Sequence, residues 1–215
     1  MDQSPPSSFD LEYHLQEIEK TTAVLSRMPN DHLGPQGTTI PDIEWYALGA
    51  IKKTASLSHT FCTLVRAKNT LSAAALVRLQ LDTAMRMFGL NLVGDVEAAG
   101  IWLMDDNIYR KLKARTGEPL SDAFLHRKLN EKYPGLSEAY EAASAYVHLS
   151  GRHIKTGLWS REGTKTLFFN LHGTDDTRPD EWFADIIDAF DQATRLTAEL
   201  TSQFLNKRSR DRRKI

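Results

Sequence analysis

Residues 69–93 read NTLSAAALVRLQLDTAMRMFGLNLV and are apolar at almost every position. The apolar side chains fall on all sides of a helical projection, which is typical of a helix that its neighbours bury. Three charged side chains interrupt this surface: Arg78, Asp82 and Arg86. Their i, i+4, i+8 spacing places them in one stripe along one face. The stretch therefore predicts a central core helix that carries a single charged stripe.

This charged stripe has two interpretations, because charges on a core-facing helix need partners. In the structural one, Asp82 is held between the two guanidinium groups, an arrangement that is common in proteins without any functional role. In the functional one, the stripe faces a cleft and one arginine remains free to bind a phosphate or carboxylate. Two arginines and one aspartate leave one positive charge, which Glu97, Glu141 or another acid can meet. We expect the structural arrangement.

The composition indicates a single domain of ordinary size. The chain has 215 residues, of which 41% are hydrophobic and 26% are charged, as in soluble globular proteins. The single cysteine, Cys62, excludes an intramolecular disulfide framework and fits a reducing compartment such as the cytoplasm. The polar start MDQSPPSSFD does not resemble a signal peptide. The charged stripe interrupts the best membrane-spanning candidate, so we expect no membrane association.

The charge is unevenly distributed along the chain. The net charge is −1, but residues 207–215, KRSRDRRKI, hold six basic residues and one acid, so the preceding residues carry −6. A globally basic nucleic-acid-binding protein has a different balance. Any affinity for phosphate therefore depends on this basic tail or on one local patch.

Helical periodicity accounts for most of the chain. A Pro/Ser-rich leader, residues 1–8, is expected to be disordered. Helix-start and helix-stop signals then bound a series of helices on either side of the central one. We predict helices at about 10–28, 42–68, 95–115 (one helix or two), 121–133 and 137–150, the last closed by Gly151.

After Gly151 the composition changes from helical periodicity to a pattern typical of strands. HIKTGLWS and TKTLFFNLHG, joined through REG, predict a β-hairpin at about 153–172 that lies against the helices. Pro179 then fits the first turn of a long final helix that ends near Lys207. The fold class is therefore mainly α: a single helical bundle of about six to seven helices over residues 9–206, with the hairpin inserted before the long C-terminal helix.

Ser144, His148 and His153 form a second group of candidate site residues. Ser144 and His148 are one turn apart on a predicted helix, with Tyr140 and Tyr146 nearby. His148 can act as a general acid or base, or donate to a phosphate oxygen, although a histidine in such a setting is commonly structural. Ser144 lacks the third orienting group that an activated Ser–His pair requires. The group also lacks a third metal ligand, so we expect neither a metal nor another cofactor.

The order of the helices resembles the HEPN-like helical domains. The central AAALVRLQLDTAMRMFGL is followed by a helix that carries SAYVHLSGRHI, and the similarity covers roughly residues 45–205. This resemblance implies a small helical bundle of the kind found in prokaryotic defence and toxin–antitoxin proteins. It also implies a dimer, because catalytic members cleave RNA without a metal at a dimer interface.

Those catalytic members use an arginine that a histidine follows four to six residues later. This chain departs from that motif, since its only match is Arg27–His32 within a predicted loop. Ser144 and His148 take a similar place in the chain without the arginine.

Three functions follow as hypotheses. The first is a binding or interaction module for a nucleotide, RNA or a partner protein, with Arg78, Asp82, Arg86, Ser144, His148 and His153 in its polar pocket. The second is a metal-independent ribonuclease that uses His148 as acid or base and Arg78 or Arg86 to stabilise the phosphorane charge. The third is an antitoxin-like structural subunit whose exposed helix faces bind a partner.

Overall fold

A computed structural model describes residues 9–33, 37–160, 163 and 165–212 of the chain. The predicted leader, residues 1–8, lies outside this part. The elements, in chain order, are α1 (Leu11–Arg27), α2 (Pro29–His32), α3 (Asp42–Arg66), α4 (Thr70–Leu90), α5 (Val96–Met104), α6 (Asp122–Lys132), α7 (Leu136–Val147), α8 (Gly151–Gly157), β1 (Leu158–Ser160), β2 (Leu167–Phe169) and α9 (Ala184–Arg212). Short 3₁₀ turns cover Tyr109–Lys111 and Asp180–Phe183.

Helix α4 is the centre of the bundle, as its apolar sequence predicts. The Asn69 side chain begins the helix by accepting a hydrogen bond from the Ser72 amide at 3.1 Å. The helix then packs against α3, α9, α7 and α6. The fully buried Gln80 donates to the hydroxyls of Thr54 and Thr197, so one polar bridge joins α3, α4 and α9 inside the apolar core. The mainly α fold, with a hairpin before the C-terminal helix, is confirmed.

The long helices α3 and α9 complete the core around α4. Phe61 of α3 and Phe190 of α9 are both fully buried, and their rings stack with centroids 4.0 Å apart. Helix α5 approaches α3 at Gly100, where a Cβ atom would lie 2.5 Å from the backbone nitrogen of Ile43. Across the described ranges, no helix combines the length and the apolar character needed to cross a membrane.

The predicted β-hairpin is shorter than its sequence pattern indicates. Residues 153–157 belong to α8, and Gly151 is the first residue of that helix rather than the end of α7. A capping box explains the difference: Ser150 accepts from the helix amides, and the His153 side chain accepts from the Ser150 amide. The antiparallel strands pair Leu158 with Phe169 and Ser160 with Leu167.

The last helix extends beyond its predicted end. It continues from the expected boundary at Lys207 into the basic tail, as far as Arg212. Arg208 accounts for this extension, because its Nε lies 3.6 Å from a carboxylate oxygen of the fully buried Glu44 and its guanidinium also binds Glu97. Part of the basic tail is therefore a structural contact with α3 and α5.

Candidate functional site

The two arginines of the charged stripe differ in how closely they contact carboxylates. Asp82 lies 3.1 Å from Arg86, and Arg86 also donates to Asp122 at the start of α6 at 2.5 Å. Lys53 of α3 approaches the same Asp82 at 3.7 Å. Arg86 thus has two carboxylate partners. Its second carboxylate is Asp122, and not Glu97, which binds Arg208 instead.

Arg78 is held in place mainly by neutral groups. Its Nε donates to the Ser144 hydroxyl at 3.1 Å, and its Nη2 donates to the Tyr140 hydroxyl. The guanidinium carbon also lies 3.9 Å from the centre of the Tyr140 ring, a cation–π contact. The nearest carboxylate oxygen, on Asp82, is 3.9 Å away, which is too far for a hydrogen bond. Arg78 is therefore the arginine of the stripe whose positive charge is less closely compensated.

Arg78 opens into a cleft between α4 and the end of α7. The cleft has a volume of about 300 Å³. Its walls combine the charged and hydroxyl groups of the stripe with apolar side chains that are nearly half exposed, Leu79 at 43% and Val147 at 47%. The complete lining is Arg78, Leu79, Asp82, Ser144, Val147 and His148. We call this the Arg78 cleft.

A second cleft lies on the other side of Asp82, between α3, α4 and α5. Its volume is about 360 Å³, and Asp82 lines both clefts. Lys53 and Arg86 supply its positive charge, while the exposed Trp45 and Met104 supply its apolar surface. We call this the Trp45 cleft. The two clefts together place cationic, hydroxyl and aromatic groups along one face of α4.

The electrostatics of this face keep Arg86 charged and the tyrosines neutral. Burial alone would lower the pKa of Arg86, but the charges of Asp82 and Asp122 outweigh it and raise that pKa. Burial raises the pKa of Tyr46 to about 12 and also raises the pKa of Tyr140. Tyr140 is therefore a neutral phenol at physiological pH, and its contact with Arg78 does not neutralise the arginine.

His148 lies at the edge of the Arg78 cleft. It is the C-cap residue of α7, its backbone is extended, and its side chain is exposed. Within the described part of the chain, its ring makes no hydrogen bond. Ser144 has a different role, because its hydroxyl donates to the Tyr140 carbonyl at 2.7 Å while accepting from Arg78. Ser144 orients the guanidinium, and His148 is available to a ligand.

His153 lies apart from these two residues. Its Nδ1 accepts from the Ser150 amide at 3.2 Å, and its ring lies 6.2 Å from that of Tyr146. It does not line the Arg78 cleft. The structure therefore brings together five of the six predicted site residues along α4 and α7, and gives His153 a helix-capping role instead.

Several residues of this face were not identified as site residues from sequence. Lys53, Tyr140 and Asp122 come from three different helices and meet the stripe only in the folded chain. Tyr140 also packs against the His126 ring, with centroids 4.7 Å apart. The Arg27–His32 match to the ribonuclease motif lies elsewhere: the His32 ring hydrogen-bonds with the Met28 carbonyl and with Asn206. Over the described residues, no group of three or more His, Cys, Asp or Glu side chains is placed to hold a metal ion.

Comparisons of the chain with protein-family models, with curated proteins and with solved structures gave no significant match. The resemblance to HEPN-like domains stays a prediction.

Proposed function

We propose that this chain is a binding module that takes a phosphate-bearing ligand of the nucleotide class on the α4 face. One observation carries the proposal: Arg78 is oriented by Ser144 and Tyr140, lies in an open cleft, and has no carboxylate within hydrogen-bond distance. A guanidinium presents a fixed fork of N–H donors that matches a phosphate group. Because its orientation is already set, binding an anion costs little side-chain entropy.

The remaining groups of the face favour a nucleotide over a free inorganic anion. Trp45 is 48% exposed and lines the cleft next to Arg86 and Lys53, so it offers a flat surface on which a base can stack. Lys53 and Arg86 both contact Asp82, and Asp82 lines both clefts, so these two cations connect the Trp45 cleft to the Arg78 cleft. A ligand with an aromatic ring and more than one phosphate, such as a nucleoside diphosphate or a short RNA segment, matches this order of groups.

A second candidate function is metal-independent RNA cleavage, because His148 and Arg78 line the same cleft. His148 would take the proton from a ribose 2′-hydroxyl as that oxygen attacks the adjacent phosphorus. The bond from phosphorus to the 5′ oxygen then breaks, leaving a 2′,3′-cyclic phosphate and a 5′-hydroxyl that takes its proton from water. Arg78 would stabilise the charge that develops on the phosphorane. Arg78 suits this role better than Arg86, since Arg86 already binds two carboxylates.

Calorimetric titration with ADP and with a short single-stranded RNA tests the proposal. We expect Arg78→Met to weaken binding at least about tenfold, since a charge-assisted phosphate contact contributes about 1.5–3 kcal/mol. Arg127→Met removes a 61% exposed arginine of α6 that lines neither cleft, and should leave affinity unchanged. Equal losses in both variants, or no binding of either probe to the wild-type protein, would contradict the proposal.

RNA cleavage is measured on the same preparations. If the wild-type protein cuts RNA, His148→Ala should abolish cleavage while retaining both RNA binding and the wild-type melting temperature. Cleavage that persists in His148→Ala rules out the catalytic role of His148 without affecting the binding proposal.

A further inference from the structure

The hairpin β1–β2 exposes apolar side chains on both of its faces. On one face Trp159 and Phe168 are cross-strand partners whose rings stack at 4.4 Å, yet they remain 44% and 39% exposed. On the other face Leu167 is 71% exposed and Phe169 is 49% exposed. The predicted packing of the hairpin against the helices therefore covers it only in part. A two-stranded hairpin is marginally stable by itself, so these faces indicate a contact that one copy of the chain does not provide.

The two outer edges of the hairpin differ. Asn170 donates to the Gly157 carbonyl at 2.8 Å, so in an antiparallel ladder the backbone groups of Leu158 and Phe169 point outward. The Leu158 carbonyl is occupied, because Arg178 donates to it at 3.2 Å. At β2, no hydrogen bond among the described residues reaches the outward groups of Leu167 and Phe169. On β1 the outward groups of Leu158 are bonded, since its N–H also donates to the Ile154 carbonyl, whereas on β2 the outward groups of both Leu167 and Phe169 are open.

The open edge also carries neither a charged residue nor a proline, two of the features that usually prevent strand pairing. Leu167, Phe168 and Phe169 carry no charge, and none of them is proline. Two copies of this strand would therefore meet without like-charge repulsion. With Trp159 and Leu171, these residues expose on the order of 600 Å² of mostly apolar surface. A stable interface buries roughly 800 Å² per partner. Pairing along the edge covers only the part of this surface that lies on β2, so we expect a weak dimer.

We propose that β2 pairs with β2 of a second copy of this chain, forming a four-stranded antiparallel sheet with a two-fold axis at Phe168. This register pairs the outward groups of Leu167 with those of Phe169 in the other copy, which satisfies the open edge. It also aligns Trp159 and Phe168 with their copies as a row of aromatic rings on one face. The inference is independent of the proposed ligand.

Disulfide trapping tests the register directly. On the two-fold axis, the two copies of residue 168 form a non-hydrogen-bonded pair with Cα atoms about 4.5 Å apart, which a disulfide can span. We expect Phe168→Cys to give a covalent dimer under mild oxidation. The matched control, Ser160→Cys on the exposed part of β1, should not cross-link, because the two β1 strands would lie about 14 Å apart. The native Cys62 is buried and does not interfere.

Sedimentation of charge variants supplies an independent measurement. The wild-type chain should be a dimer in the micromolar range. Phe168→Lys and Phe168→Glu should each be monomeric, since each places like charges together at the axis, and an equimolar mixture of the two should form dimers again. Val24→Lys changes an exposed apolar residue of α1 and should remain dimeric. A monomeric wild-type chain, a dimeric Phe168→Lys variant with a native circular dichroism spectrum, or equal cross-linking at positions 168 and 160 would overturn the inference.

Discussion

Asp82 contacts Arg86 closely at 3.1 Å but remains 3.9 Å from Arg78, so its charge serves two competing purposes. It stabilises the fold through Arg86, and it weakens the attraction of Arg78 and Lys53 for an external anion. We expect Asp82→Asn to lower the free energy of unfolding by about 1–2 kcal/mol, a modest loss because Asp122 still pairs with Arg86. The same substitution should increase affinity for ADP. Urea denaturation and calorimetric titration measure the two effects.

A lower free energy of unfolding together with a higher affinity for ADP distinguishes a binding cleft from a structural ion-pair network. Asp188→Asn provides the control, because Asp188 lies on the exposed face of α9, where it accepts from Gln192. Asp188→Asn should change neither the free energy of unfolding nor the affinity for ADP. If Asp82→Asn lowers both stability and affinity, Asp82 is part of the binding surface and does not compete with the ligand.

Arg78, Asp82 and Arg86 show which features of the candidate site can be predicted from the sequence. The i, i+4, i+8 spacing correctly predicts that Arg78, Asp82 and Arg86 share a face. It contains no information on Asp122 or Tyr140, which lie 36 and 62 residues away from the arginines they contact. Which arginine is less closely compensated depends on those distant partners. Asp82 does lie between the two guanidinium groups, as the structural triad predicts, but it is 3.1 Å from Arg86 and 3.9 Å from Arg78, and the distant partners account for this difference.

At the scale of elements, Arg208 connects the end of α9 to the starts of α3 and α5. Glu44 is fully buried, and the Arg208 side chain beside it is only 15% exposed. Removing the positive charge leaves a buried carboxylate near fewer donors, so we expect Arg208→Met to lower the free energy of unfolding by about 2 kcal/mol. The exposed Arg210, one position beyond Ser209 on the same helix, supplies the control Arg210→Met, which should have no measurable effect. Chemical denaturation of both variants gives the comparison, and equal stabilities would show that the tail does not stabilise the bundle.

The boundary between α8 and the hairpin shows a limit of sequence patterns for short elements. Thr156 and the apolar residues around it fit a strand by composition, and the predicted hairpin accordingly begins at His153. In the structure, the capping box of Ser150 and His153 satisfies amides at the start of a new helical turn. This local hydrogen bonding outweighs the weak β propensity of five residues. The strands proper, β1 and β2, lie inside the predicted range.

At the scale of the whole molecule, the long periodic helices were predictable because each buries a continuous apolar stripe. Asp10, Asn69, Asp95 and Ser121 each begin a helix by accepting from a backbone amide, as their positions indicate. The way these helices enclose titratable groups was not predictable in the same way. Burial of such groups follows from packing, and it makes the stability of the whole bundle depend on pH.

That dependence should appear in alkaline solution. Burial raises the pKa of Cys62 from 9.0 to about 12 and that of Tyr46 from 10.0 to about 12, and it raises that of Tyr109 well above 10.0. Above pH 9 the unfolded chain therefore loses protons that the folded chain retains, until the pH reaches about 12. The stabilisation is complete below pH 9 and decreases as the pH rises, by up to about 1.4 kcal/mol per pH unit for each group.

Urea denaturation at a series of alkaline pH values measures this slope. Tyr46→Phe removes one titrating group without removing its ring, so the free energy of unfolding should fall less steeply above pH 10 in this variant. Tyr13→Phe changes a tyrosine that is 55% exposed and should keep the wild-type slope. If Tyr46→Phe and the wild type lose stability at the same rate, Tyr46 ionises in the folded chain and the cleft that it lines is open to water at that residue. The slope thus reports on the hydration of the Trp45 cleft, which meets the Arg78 cleft at Asp82.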